Sequence, residues 1–275
     1  MLSLTSSEAK PLGKYIDEPS FEQSWSMRQC CRCPYDFCLG YVFCHDSNAP
    51  KSVFRKDAMI EMRAELFRLH RLLVQYELVV WTGGNISQRV DDNSFLIKPS
   101  GVHYENLTSG DMVLCNLEGE VIEGKHSPSS DTAAHAYVYK HMPEVGGVVH
   151  THSNYACAFA AVGKPIPCVL TAIADEFGGE IPLGPFAIIG DDSIGRGIVE
   201  TLSGHRSKAV IMKNHGVFTI GKDAEAAVKA AVMTEDNAKS VLLAEQLGKP
   251  IEIPKESVDK LFDRYQNVYG QRGEK

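Results

Sequence analysis

The chain has 275 residues, of which 44% are hydrophobic and 23% charged, and its formal net charge is −7. This composition is typical of a globular protein, and no apolar stretch is long enough to cross a bilayer, so we expect a cytoplasmic location and no membrane contact. The acidic balance argues against a nucleic-acid binder, which would normally have a basic face, but a small phosphorylated ligand needs only a local group of donors.

Residues 1–58 contain five of the eight cysteines and show little hydrophobic periodicity. The cysteine spacing matches no common zinc-finger template, and the first residues lack the apolar stretch of a secretory signal. We therefore expect an N-terminal extension that is poorly ordered, with a zinc knuckle as the alternative. The remaining thiols, in apolar contexts, are expected to be buried and reduced. They are Cys115, Cys157 and Cys168.

From residue 57 onward the pattern becomes regular. Leu66, Leu69 and Leu73 recur at helical spacing in a segment that Asp57 could cap, which predicts a helix ending before Trp81. Further predicted strands lie at 95–98, 112–116, 120–122, 145–150, 168–170, 186–189 and 209–212. Further predicted helices run from Ser129 or Ser130 to about 141, from 154 to 162, from 224 to 247 and from 257 to 269. Because these elements interleave without a linker or an internal repeat, residues 59–275 are predicted to form one α/β domain.

Two histidines flank one threonine at the end of a predicted strand. Side chains two apart on a strand point to the same side, so His150 and His152 would supply half of a tetrahedral zinc site. His215 and Asp131 could each complete it. A lone His-x-His motif is more often a satisfied pair than a ligand pair, but here each polar residue stands where an apolar segment meets a Gly, Ser or Thr turn.

Three turns of small residues accompany these candidate ligands. They are Gly84-Asn85, Ser100-Gly101 and Ser129-Ser130. Each offers backbone N–H groups and short polar side chains, and Lys98 adds a positive charge, which together suit a phosphate group. A single such dipeptide is usually only a turn, but three of them beside a candidate metal site favour phosphate binding.

These motifs, in this order, resemble those of the class II aldolase/adducin family, and within it they are most similar to the L-ribulose-5-phosphate 4-epimerases. The similarity covers residues 59–271. The motifs are Gly84-Asn85, Lys98-Pro99-Ser100-Gly101, Ser129-Ser130-Asp131-Thr132, His150-Thr151-His152-Ser153, Asn214-His215-Gly216 and Tyr269-Gly270-Gln271.

The resemblance implies a three-layer α/β/α fold with a central mixed, largely antiparallel sheet, assembled as a homotetramer with active sites between subunits. It implies one Zn²⁺ per subunit, held by His150, His152 and His215 with Asp131 nearby. By the same resemblance, the residues that bind the phosphorylated ketopentose are Gly84, Asn85, Lys98, Ser100, Gly101, Ser129 and Ser130.

The resemblance also assigns proton-transfer groups. Aldolases of the family have glutamate where this chain has Asp131, whereas epimerases have aspartate, so the residue favours epimerisation. Asp175 matches the epimerase's catalytic acid/base, and Tyr269 matches its partner, contributed across the subunit interface. The implied activity is an isomerase reaction of pentose phosphate and arabinose catabolism that interconverts L-ribulose 5-phosphate and D-xylulose 5-phosphate.

The chemistry of the substrate explains why an epimerase would use an aldolase site. The hydrogen on carbon four is beta to the ketone, so its removal gives no enolate resonance, whereas the bond between carbons three and four can break by retro-aldol cleavage. Zinc can neutralise the charge that develops on the ketone and its neighbouring hydroxyl oxygen. L-xylulose 5-phosphate stays open as the substrate, and a class II sugar-phosphate aldolase or a non-catalytic adducin-like module stays open as the function.

Overall fold

The computed structural model describes residues 51–268, so the N-terminal cysteines and Tyr269 lie outside the described part of the chain. The strands are β1 (Asn85–Asp91), β2 (Ser94–Ile97), β3 (Val113–Asn116), β4 (Val121–Glu123), β5 (Gly147–Thr151), β6 (Leu183–Gly184), β7 (Ala209–Met212) and β8 (Val217–Gly221). The helices are α1 (Lys51–Gln75), α2 (Thr132–His141), α3 (Asn154–Val162), α4 (Thr171–Phe177), α5 (Ser193–Leu202), α6 (Ala224–Leu247) and α7 (Lys255–Val268).

The strands form one mixed sheet in the order β4-β3-β2-β1-β5-β8-β7-β6. Only the pair β6 and β7 is parallel among these strands. One apolar cluster packs α2 and α5 on one face of the sheet, and two others pack α1, α3, α4 and α6 on the other face. The predicted three-layer α/β/α fold is therefore confirmed.

The central strand β1 was not predicted, because its sequence is mostly polar. Several of its polar side chains nevertheless have partners inside the protein. Ser87 Oγ lies 2.7 Å from both His135 Nδ1 and Tyr139 Oη, and the side-chain Oε1 of Gln88 accepts the Ala224 amide at 2.7 Å. A polar strand can lie in the middle of a sheet when its partners are also buried, and hydrophobic periodicity does not reveal those partners.

Several predicted elements differ from the structure. The strand predicted at 168–170 is absent, and the one predicted at 186–189 lies earlier, at Leu183–Gly184, where it pairs with β7. Asp57 is inside α1 and not at its N-terminus, and α2 is preceded by Asp131 and not by a serine. The long helix α6 matches the prediction, with Asp223 accepting the Ala226 amide at its N-cap.

Other expectations concern features away from the site. The three described cysteines are free thiols, but only Cys115 is buried, while Cys157 and Cys168 are partly exposed. Helix α1 passes through position 58, where the sequence places a domain boundary, and that boundary stays a prediction. Between residues 51 and 268, no helix combines the length and the apolar character needed to span a membrane.

Candidate functional site

One cavity of about 270 Å³ gathers almost all the residues that the sequence singled out. It lies where β1 begins and where β2 and β5 end, beside the turn between β7 and β8. Its lining residues are Thr82, Gly83, Gly84, Asn85, Lys98, Pro99, Ser100, Gly101, Ser129, Ser130, Asp131, His150, His152, Ile189 and His215. The seven predicted substrate-binding residues and the four predicted metal-site residues therefore share one space.

The three histidines converge on one wall of this cavity. Their ring nitrogens lie within 4.8 Å of one another, and the Nε2 atoms of His150 and His152 are 2.9 Å apart. His150 is at the end of β5, His152 follows it, and His215 lies in the turn that joins β7 to β8, so two distant parts of the sequence meet. A zinc ion with bonds of about 2.0–2.1 Å needs ligand nitrogens that converge on one point, and these three rings converge in that way.

The chemistry of the rings suits a metal ligand. The His150 ring donates its Nδ1–H to the Val217 carbonyl oxygen at 2.9 Å, so its Nε2 lone pair faces the other imidazoles. Burial lowers the pKa of His150 to about 3, and burial also lowers the pKa of His215. Both rings are therefore neutral near pH 7, as a metal ligand must be.

Gly216 allows the imidazoles to pack this closely. A Cβ atom at this position would lie 2.5 Å from the Thr151 carbonyl oxygen and 2.7 Å from His152 Cδ2. On the other side, the ring of Phe218 stacks on His150 with centroids 4.1 Å apart. Backbone and aromatic contacts thus fix the position of the imidazoles.

Asp131 lies beside the histidines but is held by a different residue. Its Oδ2 accepts a 2.7 Å hydrogen bond from Asn85 Nδ2, and its Oδ1 is buried with no described partner. The carboxylate is not among the atoms that converge within 4.8 Å. Burial would raise the pKa of Asp131, but the adjacent imidazoles and the Asn85 amide outweigh it and lower that pKa.

The small-residue turns and one buried cation form another part of the cavity wall. Lys98 is 1% exposed, and its Nζ donates to the carbonyl oxygens of Thr82 and Pro99 at 3.2 and 3.3 Å. Burial lowers its pKa to about 8. The hydroxyl of Tyr104 lies 3.0 and 3.2 Å from the carbonyl oxygens of Gly83 and Gly84, and its ring lies 5.0 Å from Lys98 Nζ.

Gly84 is a position where only glycine fits. Its φ is +71°, and a Cβ atom would lie 2.4 Å from Val79 Cγ1 and 2.9 Å from the His150 carbonyl oxygen. The turn therefore approaches the end of β5 more closely than any other residue would permit.

The structure describes only one member of the predicted proton-transfer pair. Asp175 is half-buried near the end of α4, its Oδ1 has no described partner, and it is not among the lining residues of the cavity. Tyr269 follows directly after α7, outside the described range. The roles of both residues stay predictions.

Sequence reasoning missed several residues of the site. Thr82 and Gly83 adjoin a predicted motif and Pro99 lies inside one, so these three could have been included. Ile189 and Tyr104 could not, because they come from loops whose approach to the cavity is a tertiary property. A larger cleft of about 420 Å³ beside Tyr155 and Lys239 contains no histidine or cysteine.

Comparisons with known proteins agree with this fold. Residues 64–242 match the family model of the class II aldolase and adducin N-terminal domain. A solved L-fuculose 1-phosphate aldolase is 26% identical, with a TM-score of 0.70 over 75% of this chain and 96% of the aldolase.

Two further solved structures share the fold. The L-fuculose 1-phosphate aldolase of Glaciozyma antarctica PI12 is 24% identical, with a TM-score of 0.65 over 76% of this chain and 83% of that one. YgbL of Escherichia coli, whose name leaves open aldolase, epimerase or decarboxylase activity, is 23% identical, with a TM-score of 0.66 over 74% of this chain and 99% of that one. The chain belongs to the class II aldolase and adducin family.

Proposed function

We propose that this protein is a zinc-dependent 4-epimerase that interconverts L-ribulose 5-phosphate and D-xylulose 5-phosphate. The observation that carries the proposal is the meeting of three imidazoles with a buried lysine and three small-residue turns in one cavity. The imidazoles suit a metal that activates a ketone, and the turns suit a phosphate group. A phosphorylated ketose combines these two features.

In this proposal His150, His152 and His215 hold the zinc ion. Their neutral rings and the unpartnered Oδ1 of Asp131 beside them fit such an ion, since a buried carboxylate oxygen without a donor is otherwise unfavourable. When bound, the cation neutralises negative charge that develops on the ketone oxygen and its neighbouring hydroxyl oxygen.

The other wall of the cavity holds the phosphate. Backbone N–H groups and hydroxyls at Ser100-Gly101 and Ser129-Ser130 supply oriented donors, and Lys98 supplies the counter-charge. Retention of the phosphate is essential in an epimerase, because the phosphorylated fragment must not leave after the carbon–carbon bond breaks.

The reaction begins with removal of the proton from the hydroxyl on carbon four. The bond between carbons three and four then breaks, its electron pair moves into the enediolate of dihydroxyacetone, and carbon four becomes the aldehyde of glycolaldehyde phosphate. Rotation presents the other face of the aldehyde to the enediolate. When the bond forms again, the new alkoxide takes a proton and the centre is inverted, so no oxidant or reductant is needed.

Two groups on opposite faces of the aldehyde must handle the proton, and we assign them to Asp175 and Tyr269. Asp175 does not line the cavity of its own chain. The proposal therefore assigns the Asp175 side chain to the active site of a neighbouring subunit. The proposal therefore includes a homotetramer with its sites at the interfaces between subunits, acting on pentose phosphates in the cytoplasm.

A class II sugar-phosphate aldolase is the second candidate, and the match to an L-fuculose 1-phosphate aldolase over 96% of its length favours it. The two enzymes share the metal and phosphate sites and differ in whether the aldehyde leaves. Aspartate at position 131, one methylene shorter than the glutamate of the aldolases, favours the epimerase.

A paired assay separates these candidates. Purified protein is incubated with L-ribulose 5-phosphate, and D-xylulose 5-phosphate and free glycolaldehyde phosphate are measured with separate coupling enzymes. Formation of D-xylulose 5-phosphate without free aldehyde supports the epimerase, and release of the aldehyde identifies an aldolase. Protein that contains no zinc and gives neither product would instead be a non-catalytic module.

A further inference from the structure

A buried histidine outside the cavity contacts the strand on which the cavity is built. His70 lies on α1 and is fully buried, with Nδ1 2.7 Å from the Leu66 carbonyl oxygen and Nε2 3.0 Å from the Ile86 backbone nitrogen. A backbone amide can only donate, so Nε2 accepts, and the ring proton is on Nδ1, where it donates to Leu66. This side chain therefore links α1 to β1 through a neutral ring.

The Ile86 amide needs this partner because the sheet opens beside it. The pairing of β1 with β2 ends at Ser87 and Ile97. Beyond that point the residues that follow β2 pair with residues 127–129 and no longer with β1. The Ser129 amide donates to the Lys98 carbonyl oxygen, and the Ser100 amide donates to the Ser127 carbonyl oxygen.

The direction of the amide follows from strand alternation. The Arg89 amide donates to the Gly146 carbonyl oxygen on the side of β5, so the Ile86 amide, three residues earlier, points to the side that β2 has left. A buried amide there would have no strand partner. His70 takes the place of the missing strand where the cavity begins.

We infer that His70 is a positioning residue that keeps Gly84 and Asn85 in place while the sheet divides to form the cavity. Asn85, next to Ile86, holds the Asp131 carboxylate, and Gly84 forms part of the cavity wall. His70 touches neither the histidine cluster nor the cavity directly. The inference rests on the proposed function in one respect, which is that this wall binds a phosphate.

The experiment compares His70→Leu, which removes the acceptor, with His70→Gln, whose amide oxygen can reach the position of Nε2. Thr234→Val is the matched control, because Thr234 is buried on α6 and its hydroxyl bonds only to the Ala230 carbonyl oxygen. Three quantities are measured on zinc-loaded protein: hydrogen exchange at the Ile86 amide, the dissociation constant of inorganic phosphate, and zinc affinity by chelator competition.

In His70→Leu we expect exchange at Ile86 to accelerate and the phosphate dissociation constant to rise by roughly tenfold to a hundredfold, since small displacements of a binding wall have effects of that size. Zinc affinity should stay at the wild-type value, because none of the three histidines lies on α1 or β1. His70→Gln should restore the slow exchange and the phosphate affinity. Thr234→Val should change neither.

A folded His70→Leu protein with wild-type exchange at Ile86 and wild-type phosphate affinity would overturn the inference. If that variant does not fold, His70→Asn takes its place, because its shorter amide cannot reach Ile86, and wild-type behaviour of His70→Asn would have the same consequence. If wild-type protein binds no phosphate, the proposed function fails, while the exchange measurement still tests the role of His70.

Discussion

The Asn85 side-chain amide donates a 2.7 Å hydrogen bond to the Asp131 carboxylate, although Asp131 occupies the N-cap position of α2. An aspartate at an N-cap usually accepts an amide of its own helix, but this carboxylate makes no such bond. Helix α2 therefore lacks a side-chain N-cap hydrogen bond, and the carboxylate lines the cavity with the three histidines. This exchange of a local bond for a long-range one indicates a role in the site.

Replacing Asn85 by alanine should reduce turnover by tenfold or more while the protein keeps its zinc. The variant removes the donor that orients Asp131 and leaves the histidines untouched, and an outer partner of this kind typically contributes about 10–100-fold to activity. Steady-state kinetics and metal analysis measure the two effects. Asn267→Ala on the exposed face of α7 serves as the control, and equal turnover in both variants would contradict the prediction.

Gly216→Ala should weaken zinc binding by roughly 10–100-fold, because its Cβ would displace His152 or the end of β5. Chelator competition measures the affinity. Gly110→Ala is the matched control, because the nearest atom to a Cβ added at Gly110 is 3.9 Å away. Unchanged affinity in the Gly216 variant would show that the imidazoles tolerate a displacement.

The affinity for a phosphorylated substrate should fall as the pH rises above about 8. Burial places the pKa of Lys98 near that value, so above it the free protein has lost the cation that an anion needs, and binding must take up a proton. KM measured between pH 7 and pH 10 tests this. Lys98→Gln should have a higher KM at pH 7 and no such dependence, and a parallel rise in both proteins would exclude Lys98 as the cause.

Asp111 should make stability depend on pH in the acidic range. Burial would raise its pKa, but hydrogen bonds from Lys125, Thr108 and His126 hold it well below its usual range. A lowered pKa in the folded state gives stability that is complete above the unfolded pKa of about 3.9 and is lost as the pH falls through and below it.

Asp111→Asn should therefore lower the free energy of unfolding by about 2 kcal/mol at pH 7, and the difference from wild type should shrink toward pH 2. Urea unfolding at a series of pH values measures it. Asp263→Asn, on an exposed part of α7, should follow the wild-type curve. A difference from wild type that grows toward low pH would contradict the assignment.

Asp175 should act across an interface if the proposed mechanism is correct. His152→Ala and Asp175→Asn should each be inactive alone, but a mixed oligomer reassembled from equal amounts should regain about a quarter of the sites, each with its histidines from one variant and its aspartate from the other. Activity before and after mixing measures this. Two inactive variants that give no activity together, despite exchange of subunits, would show that Asp175 does not act across an interface.

Local sequence patterns predicted part of the molecule well and part of it poorly. The helix α6 follows from its helical periodicity, and β5 follows from a short continuous run of apolar residues. The strand β1 does not, because its buried polar residues are satisfied by partners about 50 to 135 positions away, such as His135 and Ala224.

The sequence by itself determined the fold class and the composition of the site, since the His-x-His pair, the third histidine and the small-residue turns stand at the ends of recognisable elements. Only the tertiary structure decided that these groups share one cavity, that Asn85 turns Asp131 away from its helix, and that His70 closes the gap where the sheet divides. The physical reason is that residue type and spacing specify which metal-binding or phosphate-binding groups stand at the end of a strand. Which strand ends meet depends on register and long-range hydrogen bonds, which local patterns do not encode.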